Sequence, residues 1–199
     1  LEVSTSLTSV FVRFDAEQIS HAALTSLLQD LLSQKNWADT PLPMGRRFWR
    51  VPTVYGTDLA PQLAEAADLA GLDEQKAIEA LGSARVRVLT IGFAPGQPYL
   101  GPLGSEWDIP RQTELTPRVP AGALVQAVSQ FVLFSDANPT GWRHVGQTGF
   151  RNFRLGASDP FSLRAGDEMQ FFPVSKPEFL RLLDQDPDLG GASVEAMCQ

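Results

Sequence analysis

Arg111 follows Pro110, and Arg118 follows Pro117. A guanidinium beside a rigid pyrrolidine ring loses less conformational freedom on binding. Its planar fork meets a carboxylate or a phosphate through two parallel hydrogen bonds. For each arginine the competing reading is a structural salt bridge or the capping of carbonyls. Gln130 opens an otherwise apolar run, Phe131-Val132-Leu133-Phe134. A buried amide there must find partners or cost roughly 1–3 kcal/mol, so Gln130 either orients a ligand or points outward. Trp142, after Gly141, can wall a pocket or fill a core.

A third feature is the stretch 91–101, IGFAPGQPYLG. Pro95 and Pro98 stiffen it, while Gly92, Gly96 and Gly101 can take positive φ or admit another backbone. Phe93 and Tyr99 add apolar bulk, and Gln97 and the Tyr99 hydroxyl add polar groups. The stretch reads as a preorganised loop that lines a pocket or a partner surface, against the plainer reading of a packed turn. Together these readings give Arg111 and Arg118 as the groups that face developing charge. Phe93, Pro95, Gly96, Gln97, Tyr99, Gln130 and Trp142 are the substrate-binding set.

Several chemistries are excluded. The sequence has no G-x-x-x-x-G-K-[ST] phosphate loop and no G-x-S-x-G nucleophile elbow. Two histidines and one cysteine without close spacing do not make a zinc site. Cys198, on a C-terminal segment with no histidine nearby in sequence, is a poor nucleophile. His144 is read as a surface or a satisfied strand histidine and His21 as structural. A net charge of −7 argues against general affinity for nucleic acid or anionic membranes. Arg46, Arg47 and Arg50 are read as a solvated strand edge. The lone cysteine permits no internal disulfide, which fits a reducing, cytoplasmic setting. The first residue is leucine, so an upstream part is expected to be missing.

The elements that must position these groups change character along the chain. Residues 7–14 are β-branched and aromatic and read as a strand. Ser20 caps a helix whose Leu24, Leu27, Leu28, Leu31 and Leu32 form one stripe. Residues 47–55 read as an edge strand or strand end, because Pro52 interrupts them. Thr57 and Asp73 cap two further helices. From 85 onward nearly every segment reads as strand or turn, including 124–127, 130–134, 142–145, 150–154 and 168–174. Ser175 caps a closing helix. The expected organisation is α+β: a small α/β part over 1–82, an all-β barrel or sandwich over 83–175, then the closing helix and a mobile tail over 176–199.

The 91–101 stretch resembles the GFxPGFxYLxG signature of the family that includes allophanate hydrolase subunit 1, the 5-oxoprolinase B subunit and a bacterial inhibitor of sporulation histidine kinases. Further matches follow in the family's order: Pro110-Arg111, then 117–122 (PRVPAG), Gln130, Gly141-Trp142, 145–148 (VGQT) and 165–167 (AGD). The resemblance implies a carboxyltransferase domain of subdomains C and D, with a small α/β domain joined to a cyclophilin-like barrel. It implies one component of an ATP-dependent amide-processing enzyme, similar to the 5-oxoprolinase B subunit and inactive without its partner. That partner would be a homologous cyclophilin-like protein, of the type of allophanate hydrolase subunit 2 or the 5-oxoprolinase C subunit, with a third subunit contributing. ATP with magnesium would sit at the shared site. A kinase-inhibiting binding protein and the carboxyltransferase part of a urea carboxylase-like system are the alternatives. The resemblance also implies that 2–14 is the middle of the first domain, so that 7–14 lacks a sheet neighbour. The sequence departs from the family pattern at Leu81, Gln97, Val128, Ser129, Phe131 and Gln147, changes expected to cluster on the pocket.

Overall fold

The computed structural model describes residues 2–197; Cys198, read above as a poor nucleophile, lies outside the described residues. The chain forms two compact units that divide between Met44 and Gly45. In the first, β1 (Glu2–Thr5) and β2 (Val10–Arg13) form an antiparallel hairpin. The strand expected over 7–14 therefore does have a sheet neighbour, on one edge. Helix α1 (His21–Ser33) starts as expected, with the Ala23 N–H donating to the Ser20 hydroxyl at 3.2 Å. None of residues 2–44 is buried.

The second unit holds β3 (Arg47–Tyr55), α2 (Leu63–Leu69), α3 (Glu74–Ser83), β4 (Arg85–Ile91), β5 (Pro98–Gly101), β6 (Thr116–Val119) and β7 (Ala123–Ala127). It continues with β8 (Gln130–Leu133), β9 (Asn138–Thr140), β10 (Arg143–Thr148), β11 (Glu168–Pro173), α4 (Lys176–Gln185) and β12 (Ser193–Ala196). Seven strands run in the order β10-β7-β8-β5-β4-β11-β3, and pairing of β3 with β10 closes them into a barrel. The mixed α+β class with a closed barrel is thus present. β6 and β9 form a separate two-stranded ladder.

Closure rests on β3. Its residues 48–53 run parallel to β11. On the other edge, Arg47–Arg50 pairs with β12, and Thr53–Tyr55 pairs with β10. Pro52 falls between these two pairings, where a missing N–H interrupts neither ladder. β3 is therefore an interior barrel strand rather than an edge. The expected boundary near 82 also moves, because β3, α2 and α3 belong to the barrel unit. Leu63, Ala66, Ala77 and Leu81 are fully buried in its core, and Gln170 Nε2 donates to the Gly82 carbonyl at 3.0 Å. Up to residue 197 the expected tail is structured through β12. No strand forms over 150–154, where only a bridge between Phe153 and Phe161 is found.

Strands β7 and β8 are buried on both faces. Leu124, Phe131 and Leu133 face one core with Trp49 and Phe171, while Val125, Val132 and Phe134 face a second with Trp142. A period-2 run of apolar residues with no polar face is what such a two-sided position requires.

The start of β3 is pinned by charge. Asp167, 2% exposed, accepts from the Arg47 backbone N–H at 3.2 Å, from Arg47 Nη2 at 2.5 Å and from the Arg164 N–H at 3.0 Å. Glu168 accepts from Arg46 at 2.6 Å and also from Arg85. Arg46 and Arg47 are therefore ion-paired rather than a solvated edge. Removing one partner of a buried pair leaves the other uncompensated. Asp167→Ala is expected to cost about 3–5 kcal/mol, read from the denaturant midpoint. A loss below about 1 kcal/mol, the range of a surface pair, would show that the contact does not hold β3.

Candidate functional site

Between β4 and β5 the chain makes a tight loop that closes on itself. The Gly92 N–H donates to the Gln97 carbonyl at 3.0 Å, and the Gln97 N–H to the Ala94 carbonyl at 3.1 Å. Gly96 has φ +70°, and a Cβ there would lie 2.8 Å from the Asn152 carbonyl oxygen. Both conformation and space therefore demand glycine. Phe93, not Gly92, takes the other left-handed position, at φ +74°. This strained backbone leaves its ring 75% exposed at the mouth of a cavity.

That cavity, of about 340 Å³, is lined by Phe93, Gln97, Tyr99, Arg111, Thr140 and Trp142 among others. The Arg111 guanidinium carbon lies 5.5 Å from the centre of the Trp142 ring. Tyr99 meets the same indole edge-on, with centroids 6.3 Å apart. A cation over an indole face is attracted by the ring quadrupole and keeps its hydrogen-bonding fork free. Gln97 is 1% exposed, and its Oε1 has no partner. The wall thus combines a cation with a buried acceptor, on an aromatic base.

Backbone clamps hold the two main groups. Arg143, itself buried, donates Nη1 to the Pro110 carbonyl at 2.6 Å and pairs with Glu65 at 2.8 Å. This fixes the peptide just before Arg111. Gln112 donates its side-chain N–H to the Trp142 carbonyl at 3.0 Å and accepts from Gln62 at 2.7 Å. Gln62 in turn accepts from the His144 backbone N–H at 2.8 Å. Arg143, Gln62 and Gln112 carry no motif, so pattern reading passed over them.

The structure gathers five of the nine expected residues around one cavity: Phe93, Gln97, Tyr99, Arg111 and Trp142. Trp142 is both core and wall, at 7% exposure. Pro95 and Gly96 shape the loop but do not line the cavity. Gln130 is half-buried at the start of β8, with its Cγ 3.3 Å from where a Gly101 Cβ would stand, and lines neither cavity described here. Arg118 lies on a different cavity. The departures from the family pattern do not all cluster on the pocket. Leu81 and Phe131 are fully buried core residues, and Val128 and Ser129 form a left-handed turn at φ +45° and +56°.

The barrel with its helices shares its fold with parts of two larger solved proteins. Crystal structures of the Kluyveromyces lactis urea amidolyase and urea carboxylase match 98% of the chain with TM-scores of 0.78 and 0.77, covering 14% and 20% of those proteins. At 19% identity this likeness shows the fold alone. Residues 1–163 match the model of the family described as carboxyltransferase domain, subdomain C and D, and the chain belongs to that family. It is 36% identical over 141 residues to the 5-oxoprolinase B subunit of Escherichia coli O157:H7, and 32% identical over 136 residues to the Bacillus subtilis (strain 168) protein of the same name. These matches take in 70% and 68% of this chain but 65% and 57% of those proteins, so the chain spans less than two thirds of either. The crystal structure of PH0987 from Pyrococcus horikoshii, described as a conserved uncharacterized protein, matches 89% of this chain and 80% of its own at 26% identity, with a TM-score of 0.62.

A second and larger cavity, of about 570 Å³, lies between α4 and β10 and includes Arg118, Ser135, His144 and Gln147 in its wall. Strict alternation would put His144 and Gln147 on opposite faces of β10. The register shifts between His144 and Gly146, a bulge that inserts Val145 and brings the two side chains to one side. His144 is 4% exposed, and burial holds its pKa below the ordinary 6.5, opposed in part by the Gln147 side chain and the Gly146 backbone. The folded state thus binds fewer protons here than the unfolded chain. The stability this contributes is complete above about 6.5 and is lost as pH falls through the lower folded value. Denaturant midpoints recorded from about pH 7.5 down to about pH 5.5 are expected to fall for the native sequence and to fall less steeply for His144→Leu. Equal slopes would show that His144 is not neutral and buried.

Proposed function

We propose that this chain is one subunit of an ATP-dependent enzyme that opens a cyclic amide, of the 5-oxoprolinase type, and that 5-oxoproline binds in the cavity under the 93–99 loop. The observation that carries the reading is the pairing of Arg111 with Gln97 Oε1 in one aromatic-walled cavity. 5-Oxoproline presents a carboxylate to the guanidinium fork and a lactam N–H to the open acceptor. Trp142 and Tyr99 cover the ring and keep water from one face. Relatives that carry the name of the 5-oxoprolinase B subunit support the same assignment.

A lactam is a poor electrophile. Phosphorylation of its oxygen by ATP supplies a leaving group, and water then completes the conversion of 5-oxoproline to glutamate with ADP and phosphate. This chain's share is to bind the substrate, orient its carbonyl outward and hold its charge while the barrier is crossed. Among the described residues no group of three His, Cys, Asp or Glu side chains gathers to hold a metal ion. The nucleotide and its magnesium ion are assigned to the junction with a homologous barrel subunit and a third subunit, not to this chain alone. Among the described residues no helix is long and apolar enough to cross a membrane. We assign the complex to the cytoplasm, a reading supported by a lone cysteine that can form no internal disulfide.

The test is co-purification of the tagged chain with its partners, followed by ATP hydrolysis with and without 5-oxoproline. Turnover that depends on 5-oxoproline is expected. Arg111→Ala is expected to weaken substrate binding by about 1–3 kcal/mol, roughly 5- to 150-fold in KM, without unfolding the barrel. Recovery of a histidine kinase with no substrate-dependent turnover would replace this reading with a regulatory one. Unchanged KM in a folded Arg111→Ala complex would remove Arg111 from the site.

A further inference from the structure

The cavity between α4 and β10 has features that a packing defect lacks. Three residues of its wall carry a buried polar atom without a well-formed hydrogen bond: Ser135 Oγ, His144 Nε2 and Gln147 Oε1, with Gln147 near enough to His144 to favour the charged imidazole. Each such atom costs roughly 1–3 kcal/mol if left unmet. Gln147 is oriented by its own donors. Its Nε2 gives hydrogen bonds to the Ala121 carbonyl at 2.9 Å and the Thr148 carbonyl at 3.0 Å, so Oε1 is fixed as an acceptor. The crossing of the chain there leaves no slack, since a Cβ on Gly122 would stand 2.2 Å from the Thr148 carbonyl oxygen.

Charge on the wall is positive. Arg118 and Arg151 both line it, whereas Asp58 on the same wall is neutralised by Lys176 at 2.7 Å. The rest is apolar, with Phe150, Phe179 and Leu183 prominent. Two arginines against such a surface fit a ligand whose negative charge is confined to one end. Gln147 Oε1, fixed as an acceptor and with two lone pairs, has one to offer a donor on that ligand even with His144 beside it. His144 and Ser135 can each serve as donor or acceptor.

We propose that this cavity binds a small organic carboxylate that bears a neighbouring N–H or O–H donor and an apolar body, as an N-acyl amino acid does. The carboxylate meets Arg118 and Arg151, the donor meets Gln147 Oε1, and the apolar body lies against α4. The inference does not rest on the reaction proposed above. It concerns occupancy of a different cavity, and 5-oxoproline is kept out of its test so that neither result depends on the other.

Because the chain has two histidines, their ring signals give a direct readout. The full chain, labelled with ¹⁵N-histidine, is titrated with N-acetyl-L-leucine while the imidazole resonances are followed by NMR. A saturable shift of His144 is expected, with His21 in the first unit unmoved. 4-Methylpentanoate, which lacks the N–H, and N-acetyl-L-leucinamide, which lacks the carboxylate, are each expected to bind about tenfold more weakly. Arg118→Ala and Gln147→Leu are expected to weaken N-acetyl-L-leucine by about the same factor. Arg118 is exposed, so its variant remains informative if Gln147→Leu does not fold. No movement of His144 up to the solubility limit of the probe would overturn the proposal. So would equal affinity for all three compounds, or an affinity unchanged in Arg118→Ala.

Discussion

A barrel exists in this chain because one strand has three neighbours. β3 shares one edge between β12 and β10 and gives the other to β11. Without the β10 pairing the seven strands would be an open sheet with two free edges. The Asp167–Arg47 contact fixes where β3 begins, and the Tyr55 hydroxyl, donating to the Phe171 carbonyl at 2.8 Å, ties its far end to β11. Burial raises the Tyr55 pKa, so the donor stays protonated. Both cavities are built on strands whose positions follow from this closure.

The same closure explains why one short stretch of chain serves two cavities. β8 and the residues just after it alternate between the two sides of the sheet. Val132 and Phe134 help line the cavity with Arg111, while Ser135 belongs to the wall with His144. Trp142, just before β10, and His144, within it, also line different cavities. Polar groups are concentrated where the strand pattern is broken, at the Gly/Pro loop and at the β10 bulge. Much of the rest of the barrel is filled by Val, Leu and Phe, which require no partners, while the fully buried Gln126 and Asn152 donate to the Trp107 and Leu133 carbonyls.

Much of this was legible in the sequence. The helix caps at Ser20, Asp73 and Ser175 are where side-chain oxygens accept early helical N–H groups. The Gly/Pro loop and the Pro110-Arg111 step do lie on one cavity, because stiff turn chemistry and a preset arginine are local properties. What was not legible is non-local. Pro52 reads as an edge signal, and only the positions of β10 and β12 show it in a gap between two partners. Arg46 and Arg47 read as solvated until the turn at 164–167 brings Asp167 against them. His144 and Gln147 are three apart, a spacing that excludes a shared face in a regular strand, and no residue type announces the bulge. Leu81 and Phe131 sit in the core rather than on a pocket, which their exposure reveals and their identity does not.

The pairings of β3 also impose an order in time. Residues 47–55 leave the ribosome before their partners, residues 146–148, 168–173 and 193–196. Until those are made this segment, with Trp49, Val51 and Val54, has no native strand to join. Contacts of such sequence separation form slowly, and an unpaired apolar strand invites association with other chains. Yield of the barrel in a cell should therefore depend on how the nascent chain is shielded during that interval, more than on the stability of the finished fold.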